Sequence, residues 1–322
     1  MKLYFVPQLP IRGRYQEWWP QIWEEEIKKF GIDFEIILPN KNIVEKTNYF
    51  TDEESAVEWE LEQVKYLYKN AEKGDKILFA DLDYPSFVIP LAFFLAKRGV
   101  EIYGIIHGAF FNKGDIWFGS ERKNFMRAEI DVCKKVFVAT ESFKNDLSKN
   151  LGVGKTKIKV FGLPFYYENF TPNFKKENLI FVKGNLWRQF IEELKKFGEV
   201  VLEKDLQSRE EYLNVLKKAK VAIIWKDVET FGYSFLECLA NSCLTIVKKL
   251  PCYLEYEKYC YEQKGIDDLL FTPIENALSI PSHLEMFMNM SEEEISRRYS
   301  NTLPLLKKFE KSASMILREV LR

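Results

Sequence analysis

The sequence contains little of what a structural metal site or a disulfide scaffold requires. Only two of its 322 residues are histidines, His107 and His283, and they lie far apart. The five cysteines include no Cys-x-x-Cys pair. Zinc sites and disulfide frameworks are normally recognised by closely spaced ligands or paired cysteines. We therefore expect neither, and we predict that the cysteines are reduced, buried thiols.

Long apolar runs and an excess of one charge are also lacking. The apolar run FVIPLAFFLA at 87–96 has about half the length that a bilayer-spanning helix needs. The apolar stretch in MKLYFVPQLP is too short for a signal peptide. Lys and Arg number 47 against 48 Asp and Glu, which gives a net charge of −1. We expect a cytoplasmic protein that is not a globally basic nucleic-acid binder.

Short strand-like runs alternate with amphipathic helical segments along nearly the whole chain. One such helix is predicted at 53–70, where apolar residues recur on one face. Apolar strands separated by helices indicate parallel sheets that are covered on both faces. The predicted strands are 2–6, 34–38, 76–80, 101–106, 135–139, 157–161, 178–182, 199–203, 221–225, 244–249 and 268–272.

A chain of this length suits two domains, and its composition suggests where they divide. The segment 162–178 is rich in Pro, Asn and aromatic residues and has no clean period, which is typical of a linker. We predict two doubly wound, Rossmann-like α/β domains that face each other across a cleft, at 1–165 and 166–302. A C-terminal helix at 303–322 is expected to return to the first domain. Such folds bind ligands at the carboxyl ends of their strands.

The segment ETFGYSFLE places two carboxylates, Glu229 and Glu237, around the predicted start of a helix. The free N–H groups and the dipole at a helix N-terminus attract an anion, and Gly232 lets the backbone approach a ligand closely. An ionised carboxylate only accepts hydrogen bonds, so it suits hydroxyls better than phosphate. The pattern therefore favours a ligand with phosphate in its middle and sugars at both ends.

This segment and the residues after it resemble the E-x7-E region of retaining GT-B glycosyltransferases. The family has glycine where Ser242 or Cys243 stands, and Asn241 departs from the pattern too. The resemblance implies that Glu229 holds hydroxyls of the transferred sugar and Glu237 holds the ribose of the nucleotide. The residues whose backbone would meet the sugar and the diphosphate are Phe231, Gly232, Tyr233 and Ser234.

Two further elements are similar to the family in altered form. The family commonly carries an Arg and, five residues later, a Lys that neutralise the diphosphate, whereas FVKGNLWRQF offers Lys183 and Arg188 with the types exchanged. The alternative interpretation is that Lys183 is an ordinary lysine at a strand end and Arg188 is an ordinary arginine on the surface.

His107 ends a predicted strand. The resemblance implies that it contacts the transferred sugar, although a single histidine is often structural. His283 has no such context and is expected at the surface.

The loop at 7–23 has Gly13 where many relatives have a glycine pair, and it combines Arg12 and Arg14 with aromatic residues. The arginines could bind an acceptor that carries phosphates or flat rings, while the tryptophans could simply cover the core. Asp81 and Asp83 follow a predicted strand in the same half. We interpret both as acceptor-side or loop-capping residues and not as a metal motif.

The resemblance implies a retaining, metal-independent glycosyltransferase, and we expect it to use a UDP- or GDP-sugar, such as UDP-glucose, as co-substrate and to need no bound cofactor. The residues leave the acceptor open among a glycan, a lipid, a small molecule and a DNA base. One alternative is a phage-type DNA-base glucosyltransferase, which the basic segment 120–129 favours and the neutral net charge disfavours. A second alternative is a non-catalytic nucleotide-sugar binding protein.

Overall fold

The computed structural model describes residues 1–12, 15–39, 53–82, 89–113, 118–119, 122–265 and 267–322. The chain divides into two compact units. Unit 1 comprises Met1–Leu163 together with Ser312–Arg322, and unit 2 comprises Pro164–Lys311. None of the helices in the described ranges is long and apolar enough to cross a membrane.

Unit 1 is a parallel sheet with helices in its crossovers. Its strands are β1 (Leu3–Val6), β2 (Phe34–Ile36), β3 (Lys76–Phe79), β4 (Glu101–Ile105), β5 (Lys135–Val138) and β6 (Ile158–Val160), in the order β2-β1-β3-β4-β5-β6. Its helices are α1 (Tyr15–Lys28), α2 (Glu53–Asn70), α3 (Ile89–Lys97), α4 (Lys123–Val132), α5 (Glu141–Leu151) and α12 (Ser312–Leu321).

The last helix, α12, is tied to unit 1 by hydrogen bonds at both of its ends. The Ser312 hydroxyl donates to the Phe161 carbonyl over 2.7 Å. The Lys76 ammonium, at the start of β3, donates to the Val320 carbonyl over 2.6 Å. Residue 303, the predicted start of the C-terminal helix, lies inside the preceding helix, which spans Glu292–Glu310.

Unit 2 repeats this architecture with five strands. They are β7 (Glu177–Gly184), β8 (Glu199–Leu202), β9 (Ala219–Trp225), β10 (Leu244–Lys248) and β11 (Phe271–Ile274), in the order β11-β10-β9-β7-β8. The helices are α6 (Arg188–Leu194), α7 (Arg209–Lys218), α8 (Tyr233–Ala240), α9 (Pro251–Lys264), α10 (Ile280–Met288) and α11 (Glu292–Glu310).

The strand pairings observed in both sheets are parallel, and their central strands are buried. The run AKVAIIW of β9 shows why, because six of its seven residues are buried and do not alternate with solvent-facing positions. The predicted fold class, α/β with two doubly wound Rossmann-like units, is confirmed. Each predicted strand overlaps an observed one, and the helix predicted at 53–70 is α2.

The strand order of unit 2 reverses between β7 and β9, and a doubly wound sheet opens a ligand crevice at the carboxyl ends of such strands. Gly184 ends β7 there with a φ of 112°. A Cβ atom at Gly184 would lie 2.1 Å from the Trp225 carbonyl oxygen, so only glycine fits this close approach of the two strand ends. The Asn185 N–H then donates to the same oxygen over 2.9 Å.

Candidate functional site

The carboxyl edge of the second sheet carries a lysine at the end of each strand that borders the crevice. Lys183 is the penultimate residue of β7, and Lys226 directly follows β9. The Lys183 ammonium lies 3.1 Å from a carboxylate oxygen of Glu203, which directly follows β8. Burial lowers the pKa of Lys183, and the nearby charge of Glu203 opposes that effect. A half-buried cation therefore stands at the point where the strand order reverses.

Glu229 is held by the second of these lysines. One Glu229 carboxylate oxygen accepts a hydrogen bond of 2.8 Å from the Lys226 ammonium, and the other accepts from the Thr230 N–H over 3.2 Å. Burial by itself would raise the pKa of Glu229. The charge of Lys226, its hydrogen bond and the charge of Lys183 outweigh the burial and lower that pKa. Glu229 is consequently ionised at neutral pH.

The lowered pKa of Glu229 predicts a specific pH dependence of stability. Because the folded-state pKa lies below the ordinary value of 4.5, the ionised group stabilises the fold above that value, and this contribution is lost as the pH falls through the folded-state pKa. We expect Glu229→Gln to lower the free energy of unfolding at pH 7 and to change it much less near pH 3. Urea denaturation at both pH values measures this; a difference that grows on acidification would contradict it. Glu192→Gln, at an exposed ion pair, is the control.

Glu237 is the second carboxylate of the site and is almost completely buried. One of its oxygens pairs with the Arg209 guanidinium, and the other accepts a hydrogen bond of 2.7 Å from the Tyr212 hydroxyl. Burial and the charge of Glu237 raise the pKa of Tyr212 well above its usual range, so this hydroxyl remains a neutral donor. A carboxylate has about four lone-pair positions, so Glu237 can still accept further hydrogen bonds from a ligand.

The N-terminus of α8 lies between these two carboxylates in the chain. Gly232 is the N-cap residue with φ 85° and ψ 57°, and as a glycine it has no side chain with which to cap the helix. The first N–H groups of a helix have no intrahelical partner, so this end attracts an anion. Buried aromatic residues of α9 support the loop, because the Tyr256 hydroxyl donates to the Phe231 carbonyl over 2.8 Å and the Tyr253 ring would lie only 3.3 Å from a Cβ atom at Gly232.

The other predicted residues of this loop differ in exposure. Phe231 is buried, whereas Tyr233 and Ser234 are half-buried. The Tyr233 hydroxyl donates to the Pro164 carbonyl over 3.2 Å, which connects the start of α8 to the first residue of unit 2. The backbone of this loop, more than its side chains, is therefore suited to contact an anion.

Arg188 differs from the other basic residues of the site. It is the first residue of α6, its side chain is exposed, and within the described part of the chain no ion pair or hydrogen bond of that side chain is found. Lys183, Lys226 and Arg209 each have a carboxylate partner instead. Arg188 is thus a cation next to the crevice-bordering strand β7 that is available to a ligand.

Four residues of this cluster are not among the predicted site residues, namely Glu203, Arg209, Tyr212 and Lys226. Lys226 had a local signal, because it directly follows a predicted strand and stands three residues before Glu229. No local sequence pattern indicates the other three residues, because strand order and helix packing bring them to the site from separate segments. In the described ranges, no group of three or more His, Cys, Asp and Glu side chains could hold a metal ion.

In unit 1, His107 follows β4 and packs between aromatic rings of α1. Its ring is stacked on Tyr15 at a centroid distance of 5.2 Å and lies 4.9 Å from the Trp19 ring. Its Nε2 lies 3.0 Å from the Ala80 carbonyl oxygen. These contacts fix the ring at the carboxyl edge of the first sheet, and its role in catalysis stays a prediction. His283 is half-buried on α10 and hydrogen-bonds a backbone carbonyl.

The remaining predicted acceptor contacts also belong to unit 1. Arg12 is exposed, while Arg14 and Asp83 lie outside the described residues, so all three stay predictions. Asp81 is buried and accepts a hydrogen bond from the Gln8 side chain. Two tryptophans of α1, Trp19 and Trp23, are completely or almost completely buried, which favours the packing interpretation for them. All five cysteines are buried, free thiols.

Comparison with known proteins identifies the fold through solved structures alone. No protein-family model matches the sequence, and no curated protein is significantly similar to it. Sucrose-phosphate synthase from Thermosynechococcus elongatus aligns over 99% of this chain and 98% of its own, with 12% identity and a TM-score of 0.67. The N-terminal domain of Candida albicans trehalose-6-phosphate phosphatase aligns over 99% and 96%, with 12% identity and a TM-score of 0.66.

The HepE protein of Anabaena, solved in complex with UDP and glucose, aligns over 99% of this chain and 99% of its own. Its identity to this chain is 9%, and the TM-score is 0.62. At such low identity these similarities show the fold. Both units and nearly the whole chain share the GT-B fold that the E-x7-E resemblance implied.

Proposed function

We propose that the protein is a glycosyltransferase that moves a sugar from a UDP- or GDP-sugar to an acceptor hydroxyl, with retention of configuration at the anomeric carbon. The observation that carries the proposal is the arrangement of Glu229 and Glu237. Glu237 is buried and Glu229 is half-buried, each is held by a basic side chain, and helix α8 begins between them with Gly232 as its N-cap residue. A nucleoside-diphosphate sugar has hydroxyls at both ends and anionic charge in its middle, and it matches this order.

Each part of the donor has a proposed partner in unit 2. Glu237 accepts hydrogen bonds from the ribose hydroxyls, and Glu229 accepts them from the transferred sugar. The backbone from Phe231 to Ser234 binds the diphosphate. Lys226 keeps Glu229 ionised and oriented, as its 2.8 Å hydrogen bond suggests. The HepE complex with UDP and glucose supports this choice of donor class, because that protein shares the fold.

In the proposed reaction, the bond between the anomeric carbon and the diphosphate oxygen breaks, and its electron pair leaves with the nucleoside diphosphate. The acceptor oxygen forms the new bond to the same carbon, and its proton passes to the departing diphosphate oxygen. Negative charge grows on the leaving group, and fixed positive groups stabilise it more in the transition state than in the ground state. Lys183, Arg188 and the N-terminus of α8 supply that positive charge, so the proposal requires neither a metal ion nor a bound cofactor.

A panel of nucleotides and nucleotide sugars, scored by thermal shift and then by release of nucleoside diphosphate, tests this function. A ligand that binds only the native state raises the melting temperature. We expect stabilisation by a UDP- or GDP-sugar and slow hydrolysis of that donor, with NMR of the first-formed sugar reporting the anomeric configuration. Stabilisation without any release, even with a panel of acceptors, would instead identify a binding protein. Absence of stabilisation by every nucleotide sugar would overturn the proposal.

Substitutions of the two carboxylates should affect ligand binding differently. Glu237→Gln removes a charged acceptor from the ribose, so we expect about tenfold to hundredfold weaker binding of both the nucleoside diphosphate and the nucleotide sugar. Glu229→Gln should weaken only the sugar-dependent part of the affinity. Isothermal titration with both ligands measures these affinities, and Glu192→Gln, at an exposed ion pair on α6, is the control. Equal nucleotide affinity in the wild type and Glu237→Gln would remove Glu237 from the ribose.

A further inference from the structure

A buried tyrosine beside the N-terminus of α8 has a hydroxyl that the packing of the fold does not use. Tyr253, the third residue of α9, is 0% exposed. Its hydroxyl makes no hydrogen bond to any residue in the described part of the chain. Burying a hydroxyl without a partner costs free energy, and the large majority of buried polar side chains in folded proteins are paired. The Tyr253 hydroxyl therefore points to a partner outside this chain.

The position of this hydroxyl relates it to the start of α8. A Cβ atom at Gly232, the N-cap residue, would lie 3.4 Å from the Tyr253 oxygen and 3.3 Å from a carbon of its ring. Because glycine has no Cβ, no side chain of residue 232 separates the backbone from the hydroxyl. The first N–H groups of α8 also have no intrahelical partner. The hydroxyl and these N–H groups are thus hydrogen-bond donors at the same end of one helix.

The charge state of Tyr253 suits contact with an anion. Burial raises the pKa of Tyr253 well above its usual range, and the negative charge of Glu229 raises it further. The hydroxyl is consequently protonated at neutral pH and can donate a hydrogen bond. Glu229 itself is already held by Lys226 and by the Thr230 N–H. The nearest carboxylate of the site thus has other partners in this structure.

A second buried tyrosine of α9 shows the contrast. The Tyr256 hydroxyl donates to the Phe231 carbonyl over 2.8 Å, so it supports the backbone just before Gly232. Tyr253 stands one turn of the same helix away from Tyr256, and its ring packs against Phe235 of α8 at a centroid distance of 4.8 Å. The Tyr253 ring therefore has a packing role, whereas its hydroxyl has none within the fold.

We propose that the Tyr253 hydroxyl completes the anion site at the N-terminus of α8 by donating a hydrogen bond to a phosphate oxygen. This inference rests on the proposed function, in which the same backbone binds the diphosphate of the donor. A hydrogen bond to a charged acceptor is stronger than one between neutral groups. The hydroxyl has almost no contact with solvent, so the backbone at Gly232 must shift for the anion to reach it. Gly232 has no side chain whose packing would oppose that shift.

Tyr253→Phe tests the proposal, because it keeps the ring and removes only the hydroxyl. We expect isothermal titration to show about tenfold to hundredfold weaker binding of both inorganic pyrophosphate and UDP. Without added ligand, the melting temperature should be unchanged or higher, because no hydrogen bond within the fold is lost. A purely structural role of the hydroxyl would not weaken anion binding at an undiminished melting temperature.

Two tyrosine variants provide matched controls. Tyr256→Phe removes a paired hydroxyl from the same helix and should lower the melting temperature. Tyr103→Phe removes a buried hydroxyl of unit 1 that donates to Glu101 over 3.0 Å, and it should leave both affinities unchanged. Equal pyrophosphate affinity in the wild type and Tyr253→Phe would overturn the inference and leave the proposed function intact. An equal loss of melting temperature in Tyr253→Phe and Tyr256→Phe would also overturn it, because the hydroxyl would then be paired within the fold.

The same titrations distinguish this inference from the proposed function. Pyrophosphate binding that Tyr253→Phe weakens, without stabilisation of the wild type by any nucleotide sugar, would support the role of Tyr253 and overturn the glycosyl transfer. A wild type that binds neither pyrophosphate nor UDP would overturn both, because the helix end would then not be an anion site.

Discussion

Arg209→Met is expected to lower the free energy of unfolding by about 3–5 kcal/mol, because it leaves the buried carboxylate of Glu237 without its cationic partner. Glu237 is 6% exposed, and the Tyr212 hydroxyl would still donate a hydrogen bond to it. One neutral hydrogen bond compensates only part of the cost of burying an ionised carboxylate. Urea denaturation at neutral pH measures the loss.

A double variant distinguishes the effect of losing the ionic partner of Glu237 from the effect of losing the packing of the Arg209 side chain. The variant that combines Arg209→Met with Glu237→Gln leaves no unpaired charge at this position, so we expect a large part of the stability to return. The double-mutant cycle then gives the coupling energy between the two side chains. Lys195→Met breaks the exposed pair with Glu192 and should change the free energy of unfolding by less than about 1 kcal/mol. If Arg209→Met behaved like Lys195→Met, the buried ion pair would not stabilise the fold.

Local sequence patterns were sufficient to predict the fold because each crossover repeats the same physical requirement. A buried parallel strand reads as a short continuous apolar run, as in VAIIW of β9, and an amphipathic crossover helix reads as a period of 3.6 residues, as in α2. The predicted strand positions differ from the observed bounds by a few residues at most. Strand ends are least determined by local sequence, because the neighbouring strand decides where pairing stops, as Gly184 and Trp225 do for β7 and β9.

The candidate site could be predicted only where its residues are close in the chain. Glu229, Gly232 and Glu237 share one loop and one helix, so their spacing was informative. Most of the side chains that hold these carboxylates are distant from them in the chain. Arg209 is 28 residues from Glu237 and reaches it because α7 packs beside the sheet. No periodicity indicates such a pairing.

The aromatic setting of His107 is a similar case in unit 1. Sequence position placed this histidine after a strand, but the rings that contact it, Tyr15 and Trp19 of α1, lie far earlier in the chain. Tertiary packing alone brings them together. Trp19 is buried, as the packing interpretation predicts, but it belongs to helix α1 and not to a loop, and it also contacts the His107 ring.

Replacement of the two basic residues near the end of β7 is expected to have the largest effect on turnover. In the proposed reaction the diphosphate gains negative charge as the sugar leaves, so a positive group that contacts it stabilises the transition state more than the bound donor. We expect Arg188→Ala and Lys183→Met each to lower kcat by about a hundredfold or more, with a smaller change in KM. Initial rates of nucleoside diphosphate release, measured with the donor identified by thermal shift, provide both constants.

The structure also predicts that these variants differ in stability. Arg188 is exposed and has no partner within the described residues, so Arg188→Ala should leave the melting temperature nearly unchanged, whereas Lys183→Met removes the partner of Glu203 and should lower it. Lys195→Ala, just after the same helix α6, controls for loss of an exposed charge and should keep normal kinetics. A rate loss in Arg188→Ala at an unchanged melting temperature therefore reports on the reaction and not on folding. Normal turnover in the variant that combines Lys183→Met with Arg188→Ala would exclude both residues from stabilising the leaving diphosphate.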